Sequence, residues 1–208
     1  LYLAAVVDAR EKLRAAKPED KMTVFAVLMR LREICCDPRL VADNWTGSSA
    51  KLEACLELVT EAVAGGHRIL LFSQFTSMLE LLAKRLDEAG VSHFTLQGST
   101  PKPVRAEQVR RFNQGEADVF LISLRAGGTG LNLTAADIVI HYDPWWNLAA
   151  QNQATDRAYR IGQRNPVQVY RLIAQDTIEE KIVELQQAKQ SLACLLYTSP
   201  SPRDRTRS

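Results

Sequence analysis

The sequence predicts a three-layer α/β fold with a mainly parallel sheet, preceded by a helical segment. Three observations carry that expectation. Apolar runs of strand length alternate with stretches that are apolar at helical spacing from residue 49 to 192. Capping residues open those helical stretches and glycines close them. A glycine-rich loop lies between two of the apolar runs, where two buried strands end, and open α/β sheets bind ligands at such places. Alternation of this kind argues for helices on both faces of a parallel sheet.

Taken in order, Leu1 to Lys17 sets apolar pairs among Arg, Lys and Glu at helical spacing. Pro18 to Asp20 interrupts it, and Met22 to Arg32 resumes with Val24, Val27, Leu28 and Leu31 on one face. Cys36-Asp37-Pro38 ends this second helix, because the residue before a proline is pushed out of the helical region. Asn44 to Ser49 is a loop that bounds the main domain.

Ser49 caps a helix with Leu52, Leu56, Val59 and Val63 inward, stopped by Gly65-Gly66. Arg68 to Ser73 is a strand. Phe75 to Ala89 is a helix that buries Met78, Leu79, Leu82 and Leu86 and ends at Gly90. His93 to Leu96 is a short strand. Thr100 caps the next helix, whose first turn tolerates Pro101 and Pro103 and which runs to Asn113. Val119 to Ile122 and Ile138 to His141 are strands flanking the glycine loop, and Val167 to Ile173 is another. Thr177 and Glu180 form a capping box opening a last helix to about Leu192. Right-handed crossovers then place the loops 73–74, 97–100, 125–130 and 143–147 on one edge of the sheet.

Composition sets modest limits. A chain of 208 residues, 46% hydrophobic and 24% charged, is long enough for a real core. Its net charge of +2 is supplied wholly by the arginines and the aspartate of residues 195–208, so any nucleic-acid contact needs a local basic patch. The four cysteines show no CxxC spacing and read as reduced, buried thiols of a cytosolic-type compartment rather than metal ligands. No apolar run reaches the roughly 18 residues of a membrane span. Leu195 to Ser208 has proline, serine and arginine without apolar period and is expected to be disordered. It resembles a translated sequencing adaptor and is set aside from fold and function.

The candidate chemistry lies between Val119 and Gln163. Gly127-Gly128-Thr129-Gly130 lacks the Lys-Ser/Thr of a Walker A loop and is not a full dinucleotide fingerprint. Alone it is equally a tight turn, and its weight comes from Arg125 before it and Asn132 after it. Arg157 and Arg160 stand three apart, so on a helix they project from nearly one face. Two guanidiniums there suit a polyphosphate. A bare RxxR is more often a surface pair, here with Asp156 balancing Arg160. Gln153, one turn before Arg157 on a helix beside the glycine loop, favours the ligand reading. Trp145 and Trp146 cannot both point inward from a turn, so at least one is expected to be partly exposed and able to stack on a base. Ser73, Gln74, Gln97 and Arg105 are small polar or basic groups near the same edge, suited to a phosphate backbone, though each alone is more often just solvated.

Together these residues resemble a known family. FSQFTSMLELLAKRL, LQGSTPKPVRAEQVRRFN, VFLISLRAGGTGLNLTAADIVIHYDPWWN and QATDRAYRIGQ are similar, in order, to motifs IV, IVa, V, Va and VI of the Swi/Snf-type ATPases of helicase superfamily 2. TIEEKIVELQQAKQSL resembles the helix that closes their second RecA-like lobe, and LREICCDPRL the segment leading into it. The resemblance covers residues 20–193, and RIGQ rather than RIGR favours this family over RNA helicases of the DEAD-box type.

The resemblance implies a RecA-like fold with residues 1–48 leading in from a first lobe, 49–193 as the second lobe and 194–208 as tail. It implies ATP bound with magnesium between two lobes, the magnesium ligands lying on the first. Arg160 is then the arginine finger and Arg157 its partner, a role worth about 10³–10⁵ in rate in related nucleotide hydrolases. Gly128, Gly130 and Gln153 would line the nucleotide cleft, and Ser73, Gln74, Arg105, Thr129 and Trp146 would face double-stranded DNA. Lobe closure would ratchet along the duplex without separating its strands. Leu148 and Gln151 stand where the family usually has Pro and Glu, and losing that acid is expected to remove a charge partner of the motif helix and so alter coupling. Tyr159 stands where the family often has His, so the role of that side chain is not carried over. The sequence holds neither GxxxxGK[ST] nor DExH, so it is expected to be inactive without the first lobe. A non-catalytic RecA-like module that docks proteins is the alternative, and a Walker A lobe upstream would discriminate the two.

Overall fold

The strand-length apolar runs form strands because almost every position in them is covered. The computed structural model describes residues 1–15, 20–42, 44–124, 126, 131–156 and 166–198, with side chains described to residue 190. β1 (Ile69–Ser73), β3 (Val119–Ser123) and β4 (Ile138–His141) are buried at every residue. β2 (His93–Leu96) and β5 (Gln168–Arg171) are more open and lie at the two margins. The five make one sheet in the order β2-β3-β1-β4-β5, and every pairing is parallel. Register sets Ser73 beside Ser123 and Phe72 beside His141, so the strands end together along one edge.

Period-two alternation divides the core. Ile69 and Leu71 point into one apolar cluster, and Leu70 and Phe72 into another on the opposite face. Ahead of the sheet, α1 (Tyr2–Ala15) and α2 (Lys21–Cys36) pack on each other through Ala9, Val27 and Leu31. α3 (Ala50–Ala64) and α4 (Thr76–Glu88) fill the first face, α4 with Met78, Leu79, Leu82 and Leu86 all fully buried. α5 (Lys102–Asn113) brings Phe112 to the second face, and α6 (Leu148–Thr155) brings Ala154. α7 (Ile178–Thr198) continues past the expected end near residue 192 and buries Ile182. The α1–α2 pair is tied to it, since the Ile178 amide donates to the Tyr2 hydroxyl at 2.7 Å.

Local signals held in most places and shifted in three. Ser49 caps α3 and Asp20 caps α2 through the Thr23 amide. Gly90 and Gly115 close α4 and α5 with φ of +69° and +86°, which only glycine adopts without strain. Thr100 is not the cap of α5. The helix starts at Lys102, after Pro101, and the Thr100 hydroxyl turns back to accept from the Gln97 amide at 3.0 Å. Nor is the box at α7 reciprocal, because Glu180 accepts from the Asp176 amide while the Thr177 hydroxyl accepts from that of Glu179. Val24, expected inward on α2, is exposed, because α1 covers the face carrying Val27 and Leu31.

Candidate functional site

A parallel sheet delivers all its strand-to-helix loops to one edge, and the polar groups gather there. The loop after β1 is built on Asp143 of the loop after β4. The Asp143 carboxylate accepts from the Ser73 hydroxyl at 2.6 Å and from the Gln74 amide at 3.1 Å. Ser73 also accepts from the Phe75 amide at 3.2 Å and is fully buried. Its hydroxyl is therefore spent inside the loop and is not turned to solvent. It shapes the turn that presents its neighbours.

Those neighbours line a cleft of roughly 500 Å³ with Gln74, Thr76 and Ser77 on one wall and Gln97, Gly98 and Ser99 on the other. α4 and α5 both begin at this edge, and neither receives a side-chain cap. The first amides of α4 carry the positive end of its dipole, the arrangement that suits an oxyanion, whereas Pro101 and Pro103 at the start of α5 offer no N–H. Arg105, half-buried in the first turn of α5, reaches the carbonyls of Ala126 and Thr100, each at 3.5 Å. It thus bridges the loop after β2 to the start of the glycine-loop segment. Glu33 of α2 also lines the cleft, with its carboxyl pushed up by burial.

The loop after β4 is held from three sides. The Trp145 amide donates to Gln151 of α6 at 3.1 Å, and Gln186 of α7 donates to the Trp145 carbonyl. Arg32 of α2, fully buried, donates to Asp143 at 3.1 Å and to the Pro144 carbonyl at 2.6 Å. Burial pushes the Asp143 carboxyl up, and the Arg32 guanidinium is the strongest influence opposing that rise. Both tryptophans are partly exposed. Trp145 packs on the second core cluster, while Trp146 lies over the Arg32 guanidinium at 5.8 Å. Trp146 also walls a further cavity of roughly 500 Å³ with Asn147, Leu148 and Gln186.

Of the residues singled out by sequence, the structure brings Ser73, Gln74, Arg105 and Trp146 to this edge, and Gln153 stands exposed on the short helix α6. Gly128, Thr129, Gly130, Arg157, Arg160, Arg125 and Tyr159 lie outside the described residues, as do residues 199–208 of the expected tail. Sequence reasoning missed Arg32, whose only signal is an arginine set among Leu31, Ile34 and Cys35 in the last turns of α2. It also missed the pair of Lys51 and Glu179, buried between α3 and α7. No group of three or more His, Cys, Asp or Glu side chains could hold a metal ion among the described residues. Among them, too, no helix is long and apolar enough to cross a membrane. Cys35, Cys36 and Cys55 are free and buried, and burial pushes the Cys35 and Cys55 thiols up to about 11 and about 12.

The sheet order and its loop edge are those of a RecA-like lobe. Residues 50–162 match the helicase conserved C-terminal domain family. A Mycoplasma pneumoniae protein named as an uncharacterized ATP-dependent helicase is 40% identical over 183 residues, which is 88% of this chain and 18% of that protein. The solved SWI2/SNF2 ATPase C-terminal domain of Sulfolobus solfataricus superposes with a TM-score of 0.76 at 29% identity, over 91% of this chain and 79% of that one. The same organism's SWI2/SNF2 ATPase core in complex with dsDNA gives 0.78 at 31% identity, over 92% and 41%. The chain belongs to the helicase conserved C-terminal domain family, as a lobe of the SWI2/SNF2 type. It spans between 9% and 19% of the length of these curated relatives.

Proposed function

We propose that this lobe is one half of an ATP-driven translocase on double-stranded DNA, completed by a first RecA-like lobe in the same protein. Residues 49–193 form the lobe in this reading, residues 1–48 lead into it, and 194–208 take no part. Arg160 acts as arginine finger toward the γ-phosphate of ATP, and Arg157 supports it. Gly128, Gly130 and Gln153 border the nucleotide. Magnesium is held by carboxylates of the first lobe. Gln74, Arg105, Thr129 and Trp146 meet the DNA, and Ser73 serves by setting the turn that carries Gln74.

One observation carries the DNA side of this reading. α4, which has no side-chain cap, opens onto the cleft with Thr76 and Ser77, and Gln97, Gly98 and Ser99 of the loop leading into α5 form its other side. The first amides of α4, together with the Arg105 guanidinium of α5, suit backbone phosphates, which position a duplex without reading its sequence. The near neutrality of residues 1–194 fits a contact made by such local groups rather than by a global field.

The nucleotide side is tested in the full-length protein carrying this lobe. Arg160→Ala is expected to lower DNA-stimulated ATP turnover by about 10³ or more while dsDNA affinity stays within several-fold. Turnover within tenfold of the parent would remove Arg160 from the finger role. The isolated chain is expected to hydrolyse no ATP with or without DNA, and DNA-stimulated hydrolysis by it would overturn the two-lobe account.

A further inference from the structure

One guanidinium joins three segments that are distant in sequence. Arg32 sits on α2, before the matched family domain begins at residue 50. Its Nη1 donates to the Gln74 side-chain carbonyl at 2.8 Å, in the loop after β1. Its Nη2 donates to Asp143 and to the Pro144 carbonyl, in the loop after β4. Its Cζ lies over two aromatic rings, 5.4 Å from the centroid of Phe75 and 5.8 Å from that of Trp146. The side chain is wholly shielded from solvent. A planar fork with several donors and two stacking faces makes all these contacts at once, and a lysine could not.

A core ion pair alone needs none of this arrangement. Asp143 already accepts from Ser73 and Gln74, which fixes the backbone of the first loop. What Arg32 adds is a grip on the Gln74 side chain and the Trp146 ring, the two groups proposed above to meet DNA from opposite loops. We infer that Arg32 is a positioning residue, holding Gln74 and Trp146 in a common DNA-facing arrangement and making α2 the element through which a shift in the lead-in segment reaches both loops. This rests on the DNA-facing reading of those loops, and the test below separates the two.

The variants are Arg32→Lys, which keeps the charge and loses the fork, and the double variant Arg32→Met with Asp143→Asn, which leaves no lone buried carboxylate. In the full-length protein, each folded variant is expected to raise the dsDNA concentration for half-maximal ATPase at least tenfold. Turnover at saturating dsDNA should change less than threefold. Separately, in a Trp45→Phe, Trp145→Phe background, acrylamide quenching of Trp146 is expected to become at least twice as effective in Arg32→Lys. Unchanged quenching overturns the inference. So does a loss in dsDNA response that tracks only the unfolded fraction measured by circular dichroism. If the parent shows no DNA-stimulated ATPase, the DNA reading fails instead, and the Trp146 quenching still decides the role of Arg32.

Discussion

Gln151 accepts a hydrogen bond from the Trp145 backbone amide at 3.1 Å and stands 3.4 Å from the Gln186 side-chain nitrogen, sealed from solvent at 1% exposure. The family resemblance sets an acid at this position, and its loss was expected to cost a charge partner. Among the described residues, the two partners of its side-chain oxygen are neutral amide donors, so these contacts call for an acceptor rather than a charge.

That arrangement makes a prediction about two substitutions. Gln151→Ala leaves the Trp145 amide without its partner and should cost about 1–3 kcal/mol in urea unfolding. Gln151→Glu keeps an acceptor but buries a carboxyl, which favours the protonated form in the folded state. Its folded pKa then lies above its unfolded value, so stability is intact at low pH and is lost as pH rises through the folded pKa. The gap to the parent should widen from pH 5 to pH 8. A gap of constant size across that range would show that the two donors hold the carboxylate charged.

Lys51 and Glu179 fasten α3 to α7 beneath the sheet edge. The ammonium bonds the Glu179 carboxylate and the Tyr142 carbonyl, and Glu179 also accepts from the Ala174 amide at 2.8 Å. Glu179 is fully buried, and burial pushes its carboxyl up. Removing one partner of such a pair strands the other in an apolar setting. Lys51→Met should therefore cost about 3–5 kcal/mol, while Lys51→Met with Glu179→Met should recover most of that loss. Urea midpoints of the two variants decide it. A double variant no more stable than the single one would mean that packing around Lys51, not the stranded acid, carries the cost.

The fold was legible because its signals are local. The spacing of Met78, Leu79, Leu82 and Leu86 specifies one buried face of α4, and all four are fully buried. The run Ile69 to Ser73 specifies a doubly covered strand in the same way. What the spacing could not show is which way a terminal polar residue turns. Ser73 and Thr100 sit where an element meets a loop, and each spends its hydroxyl on a nearby loop partner, Ser73 on Asp143 and Thr100 on the Gln97 amide. Arg32 was still less visible, since its partners Gln74 and Asp143 are 42 and 111 residues away and no periodicity links them. The residues with the strongest motif signal, Arg157, Arg160 and the glycines after Arg125, lie outside the described residues.

His141 gives the lobe an acid-sensitive point at the end of β4. Its ring stacks on Phe72 with centroids 5.5 Å apart, and its Nε2 lies 2.9 Å from the Thr155 hydroxyl of α6. Its Nδ1 is buried with no partner among the described residues. Burial, aided by the charge of Arg171, holds its pKa down from 6.5 to about 4. The unfolded chain therefore takes up a proton at a pH where the folded chain resists it. Stability is complete above about 6.5 and falls as pH drops toward about 4, by up to about 3 kcal/mol. His141→Gln removes that uptake, so the difference in stability between parent and variant should shift by this amount between pH 7 and pH 4, the parent losing more. Parallel stability curves over that interval would show that the ring is not held neutral by the fold.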